Sequence, residues 1–301
     1  MGKKNSESFE ITQYLFVIPA LIFMLAFIGY PIVYNLVLSF QDINVMTFTS
    51  SIKEFIGFSN YTALFSDRDN LLNVAILNTL FYTVMSIIFQ FTLGFAFAMF
   101  FSMNFRLAAF LRGLTAIAWL MPMTITALMF KYMLSPSGGI INEFLMAVKL
   151  IDQPIDWLIN NNTAIWGVII ANIWVGIPFN MILLSTGLTT IPGSIYESAD
   201  IDGARSLQKF FFITVPMIKP AIMAVLTLGF IYTFKVFDLI FIMTNGGPVN
   251  STEVLSTLAY RLSFDEFNFS KGASVANVLF IILFCVSLIY LKLMKDEEEL
   301  M

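Results

Sequence analysis

The chain of 301 residues contains no histidine and only one cysteine, Cys285. Without imidazole it lacks the usual proton shuttle and the commonest transition-metal ligand, which excludes a histidine-based catalytic or metal centre. A lone cysteine cannot close an intrachain disulfide. Charged residues make up only 12% of the chain, and the net charge of −4 is spread over segments of mixed sign. Nothing in that pattern forms a basic patch for nucleic acid. The pattern G-x-x-x-x-G-K-[ST] is also missing, and with it the glycine cradle and lysine that hold nucleotide phosphates.

What is present is apolar surface. Hydrophobic residues account for 58% of the chain and the mean hydropathy is +0.83, more than a water-soluble core can hide. Six stretches are long and apolar enough to cross a bilayer as helices, at residues 14–40, 74–101, 114–134, 164–184, 221–243 and 273–293. Barrel strands would instead alternate over segments of roughly ten residues. The expected fold is therefore an all-α integral membrane protein with six transmembrane helices. The first stretch greatly exceeds the apolar core of a signal peptide and reads as a retained helix, bent at Pro19 and Pro31 by lost backbone donors.

Basic residues set the orientation. With both termini inside, Lys3, Lys4, Arg106, Arg112, Arg205, Lys209, Lys219, Lys292 and Lys295 lie in the cytosol. Lys53, Arg68, Lys131, Lys149, Arg261 and Lys271 then lie outside, and Lys235 sits within a helix. The inner segments are shorter, so their density of bases is higher, as the positive-inside rule favours. Residues 1–13 and 294–301 become cytosolic tails around a membrane domain at 14–293.

Within this apolar chain, residues 196–220 form an island with three acids and three bases. Ile191-Pro192-Gly193 ends the fourth stretch, and Ser194 with Glu197 three residues later is a capping-box pattern for a new helix. Asp202-Gly203 supplies a turn, and Asp202 is placed to cap a second short helix from Ala204 onward. Pro216 and Pro220 close the segment and set the start of the fifth helix. Two short helices meeting at Gly203 are the expected element.

Glu197, Ala199, Asp202, Gly203, Ala204, Phe211, Ile213, Pro216 and Pro220 fall in the order and spacing of the EAA loop. The segment thereby resembles the membrane subunits of binding-protein-dependent ABC importers. Ser198 departs from the pattern, which usually has alanine. The resemblance implies the type I importer permease fold, with residues 189–220 as a coupling loop seated in a groove of a separate ATPase. It assigns Glu197 a polar contact with that ATPase, Gly203 the turn, and Ala199 and Ala204 the close-packed faces; Ser198, Asp202, Phe211 and Pro216 complete the coupling set. The alternative for this island is an amphipathic loop lying on the bilayer.

Polar residues inside spans mark a route, because they are costly against lipid. The fourth stretch carries Asn172, Trp174, Gly176, Pro178, Phe179 and Asn180; the fifth carries Tyr232, Thr233, Lys235 and Asp238. Amides and hydroxyls suit sugar hydroxyls, and aromatic faces suit the C–H face of a sugar ring. The resemblance places Asn172, Gly176, Phe179, Tyr232 and Thr233 at sugar-facing positions, with Thr233 and Val236 departing where asparagines are expected. Trp174, Lys235 and Asp238 are further pathway candidates. Lys235 and Asp238, three apart, can instead form an internal ion pair on one helical face.

Thr244-Asn245-Gly246-Gly247-Pro248, Thr252 to Arg261, Gly57 to Tyr61 and Pro154 to Trp157 resemble the carbohydrate-uptake branch of the same family. The implied partners are a second, homologous permease, two copies of an ABC ATPase, an extracellular or periplasmic sugar-binding protein and the lipid bilayer. ATP and magnesium belong to the ATPase; no cofactor is expected on this chain, and no enzyme activity. An oligosaccharide is the expected cargo, with glycerol 3-phosphate as the alternative. A different class, an ion-coupled secondary sugar transporter, would show paired repeats with broken helices, and none are evident. A membrane enzyme lacks any catalytic constellation here.

Overall fold

A computed structural model describes residues 16–50, 53–66, 70–103 and 105–298, with side chains up to residue 292. Residues 1–13, Tyr14, Lys3, Lys4 and Arg68 lie outside the described residues, as do 299–301 and the Lys295 side chain. Among the described residues there are helices and two isolated bridges, with no extended sheet. The chain divides into two compact units, Met1–Arg68 with Ala259–Val278, and Asp69–Leu258 with Leu279–Met301.

In the first unit, α1 (Phe16–Leu38) runs unbroken and none of its apolar window is buried. Side chains such as Phe23, Phe27 and Val33 stay exposed, which suits a helix whose solvent is lipid. The helix is not broken at Pro19 or Pro31. A widened turn over Leu25–Gly29, in which Tyr30 N–H donates to Leu25 O, lies just ahead of Pro31, where a lost backbone donor must be accommodated. The short helix α2 (Ser59–Phe65) contributes Asn60, whose Nδ2 donates to the Ser39 and Gln41 carbonyls at 2.8 and 2.9 Å. Polar side chains also tie the end of α1 and the segment after it to residues 268–277: Asn35 Nδ2 donates to Asn277 Oδ1 at 2.7 Å, and Ile43 N–H to Ser270 Oγ at 2.9 Å.

The second unit is built on α3 (Leu71–Ser102) and α7 (Ala164–Thr189), which pack against each other along much of their length. Small residues permit it. A Cβ on Gly94 would stand 2.5 Å from Asn180 Cβ, so the two backbones approach closely only because that atom is missing.

The third expected span is broken. It forms α4 (Ala108–Leu120) and α5 (Met123–Met133), bent by 98°. Pro122 drives the preceding Met121 to extended backbone, ψ 136°, and removes the amide that would continue the helix. After α6 (Ile140–Ala147) and α7 come α8 (Gly193–Ile201) and α9 (Ser206–Met217), then α10 (Lys219–Phe234), bent by 70° from α9.

The fifth expected span, 221–243, is also interrupted: α10 ends at Phe234, and α11 (Asp238–Met243) starts after a three-residue break. Val236 N–H closes on Thr233 O at 3.2 Å, tightening the last turn, and the carbonyl of Val236 freed by the break accepts from Ser256 Oγ. The remaining helices are α12 (Leu255–Tyr260) and α13 (Phe269–Glu298).

The expected six spans are thus met by helices of two kinds. Among the described residues, four helices, α1, α3, α7 and Phe269–Lys292 of α13, can each cross a membrane in one piece. Two bent pairs, α4 with α5 and α9 with α10, bring the possible total to six.

Candidate functional site

Helices α3, α4, α5, α7 and α10 enclose a cavity of about 340 Å³ lined by Gln90, Trp119, Met123, Asn172, Val175, Gly176, Phe179, Gly229, Tyr232, Thr233 and Val236. Five residues expected from sequence therefore converge: Asn172, Gly176, Phe179, Tyr232 and Thr233. They come from two helices that sequence separates by some fifty positions. Packing of α10 on α7 joins them.

Three aromatic rings form one continuous wall. Trp119 and Phe179 have ring centroids 5.9 Å apart, and Phe179 meets Tyr232 edge-on at 5.9 Å and 85°. The same lining also carries amides. Gln90 Nε2 donates to the Asn172 backbone carbonyl at 2.8 Å, and the Asn172 Nδ2 is buried with no partner among the described residues. Such a donor is costly to leave unmade in an apolar setting. The wall offers stacking faces and the amides offer directional hydrogen bonds, a combination that holds a ligand with both C–H and O–H surface.

Three expected pathway residues lie elsewhere. Trp174 packs edge-on to Phe130 at 5.7 Å and lines a separate apolar cavity with Phe97, Ile177 and Pro178. Lys235 and Asp238 do not line the main cavity, nor do they form the ion pair that their spacing allows. The break between α10 and α11 removes the shared helical face. Lys235 caps α10 with its ammonium 5.2 Å from the Tyr232 ring, and Asp238 opens α11, exposed. Sequence reading passed over Gln90, Trp119, Met123 and Gly229. Gln90 was detectable as an amide inside a long apolar run; Trp119 carried no signal among so many aromatics.

The charged island folds as two short helices around Gly203, as expected, but its caps differ. Gly193, not Ser194, begins α8, and Pro192 is its N-cap with no side-chain bond, so the capping box from Ser194 and Glu197 does not form. Pro192 enters the helix from extended backbone, φ −63° and ψ 135°, and Glu197 stays exposed. Asp202 ends α8 and does not cap α9; Arg205 takes that place, its N–H donating to Gln208 Oε1 at 2.8 Å. Gly203, at φ +75°, closes α8 with paired bonds: Gly203 N–H to Asp200 O at 3.1 Å and Ala204 N–H to Ala199 O at 2.9 Å.

Lys209 Nζ reaches Asp200 Oδ1 at 2.6 Å, tying the second helix to the first. Tyr196 OH and Thr214 Oγ1 meet at 2.8 Å. Ala199 is buried, and Ala204 is half-buried. Glu197, Ser198, Asp202, Phe211 and Pro216 are exposed, with Ile201, Leu207 and Phe212 adding large apolar side chains to the same segment. A pinned turn presenting bare apolar residues is built to be covered.

Residues 90–294 match the family described as the binding-protein-dependent transport system inner membrane component. The chain belongs to this family. Whole-length relatives agree. The permease is 33% identical over 292 residues to the probable ABC transporter permease protein YurN of Bacillus subtilis, covering 96% of this chain and 98% of that one. It is 30% identical over 286 residues to the trehalose/maltose transport system permease protein MalF of Thermococcus litoralis, covering 95% and 94%.

Its fold matches a chain of a bacterial ABC transporter involved in the import of the acidic polysaccharide alginate. The TM-score is 0.77 at 23% identity, over 96% of this chain and 98% of that one. The permease is therefore an all-α, multi-pass membrane subunit with the type I importer fold. It is a transporter component and not itself an enzyme.

Proposed function

We propose that this permease forms half of the translocation pathway of an ATP-driven importer for a neutral oligosaccharide, opening and closing its cavity by alternating access. The cavity between α7 and α10 carries the reading: aromatic rings and buried amides share one lining, and among the described residues neither lysine nor arginine lines it. A phosphate ester such as glycerol 3-phosphate is best held by a cation in direct contact; Lys235, beside the lining, has its ammonium 5.2 Å from the Tyr232 ring instead, so the lining itself favours a saccharide. The trehalose/maltose relative, 30% identical, supports the same cargo class.

Drive comes from outside the chain. The segment 189–220 is the docking element for a separate ATPase, with Glu197, Ser198, Asp202, Gly203, Ala204, Phe211 and Pro216 at or beside the contact and Ala199 packing the base of the turn. A second permease, two ATPase copies and a sugar-binding protein complete the assembly, with both termini and residues 189–220 in the cytosol.

Proteoliposomes test this reading. The complete assembly is expected to accumulate a labelled saccharide only with ATP inside and binding protein outside. Uptake by this chain alone, driven by a proton or sodium gradient, would overturn it in favour of an ion-coupled carrier.

A further inference from the structure

Gln90 is the sole α3 residue in the cavity lining and is more than nine-tenths buried. Two constraints fix its amide. The Asn172 carbonyl, which only accepts, takes the Nε2 hydrogen at 2.8 Å, so the nitrogen and oxygen of the amide are assigned by their partner. A Cβ on Gly176 would stand 2.1 Å from Gln90 Cδ, so the amide is seated on bare backbone. With its nitrogen engaged, Gln90 Oε1 is left as an acceptor without a donor among the described residues. Beside it, Asn172 Nδ2 is a donor without an acceptor.

An unused acceptor and an unused donor in one lining match a group that both gives and takes a hydrogen bond, which is what a hydroxyl does. The same face of α3 continues this polarity: Thr83 and Ser86, seven and four residues before Gln90, have fully buried hydroxyls with no partner among the described residues.

We propose that Gln90 is a specificity-determining residue of the importer, accepting a hydrogen bond from one ring hydroxyl of the saccharide while Asn172 Nδ2 donates to the same hydroxyl or its neighbour. Gly176 serves this role indirectly, as the side-chain-free seat that holds the Gln90 amide in register. The inference rests on the saccharide reading above, and it adds a ligand from α3 to a site that α7 and α10 otherwise supply.

The test uses the assembled importer and the saccharide that a glycan array returns for its binding protein, tritiated, together with the monodeoxy analogues of that sugar. The wild type is expected to discriminate against one analogue. Gln90→Leu is expected to raise the KM for the parent sugar about 10- to 100-fold, with little change for that analogue, so that discrimination collapses. Gln90→Glu, which keeps an acceptor at the same reach, is expected to restore part of it.

A purely structural clamp between α3 and α7 would impair parent and analogue alike, and that result overturns the proposal, as does an unchanged KM in Gln90→Leu. A binding protein that takes no saccharide on the array overturns the saccharide reading itself, and this inference with it.

Discussion

A hydrogen atom at position 176 separates a seat from a collision. Gly176 has Gln90 against it, and any Cβ there would meet the amide carbon at 2.1 Å. Gly176→Ala should therefore lower stability by about 1–3 kcal/mol through overpacking, read as a drop in the thermal midpoint of the purified assembly in detergent. Pairing it with Gln90→Ala removes the atoms it strikes, so the double variant should lose less than the two single changes added together. Additive losses would show that Gly176 matters for some other reason.

Asn172 and Gly176 were legible as interruptions of an apolar run, but the reason for Gly176 was not, because Gln90 lies far away in sequence. Trp174 shows the opposite failure. Its chemistry suits a sugar, yet its position on α7 turns it toward Phe130 and an apolar cavity.

At the scale of single elements, local rules succeed where the backbone itself decides. Gly203 sits at φ +75°, a conformation that proline's ring cannot reach and that asparagine tolerates best among residues with a side chain. Gly203→Pro is expected to leave the permease inserted while uncoupling ATP hydrolysis from transport; substrate-stimulated ATPase activity at the wild-type level would contradict this. Gly203→Asn should retain most coupling.

A second expectation concerns the tie between the two helices. Lys209 is largely covered but Asp200 is mostly exposed, with side-chain exposures of 22% and 60%, so water screens the pair. Lys209→Ala should accordingly cost stability little, within about 1 kcal/mol, while reducing coupled uptake if the pair holds the turn in shape. Uptake equal to wild type would show the tie to be dispensable.

Helix ends were less legible. Ser194 and Glu197 have the letters of a capping box, but Pro192 pre-empts the start of α8 by one residue. The breaks at Pro122 and Lys235 disappear when hydropathy is averaged over a long window, although proline announces the first.

For the whole molecule, the bias of basic residues predicts that Ser198 and Val249, both exposed, face opposite sides of the membrane. Cysteines placed at these positions in a Cys285→Ser background should react with a membrane-impermeant maleimide from opposite faces, Ser198→Cys from the cytosol. Labelling of both from one face would refute the proposed topology. Apolar side chains exposed along α1 and α13 also mean that the isolated chain presents far more hydrophobic surface than water tolerates.

The sequence by itself determined the solvent, the helical class and the turn at Gly203, since composition, run length and backbone conformational freedom are properties of the chain alone. Only tertiary structure decided that Gln90 joins Asn172, that Trp119 joins Phe179, that Trp174 leaves the site and that Lys235 and Asp238 stay apart. Each of these depends on how helices are rotated, bent and brought within a few ångströms of one another, and spacing along a single helix carries no record of that.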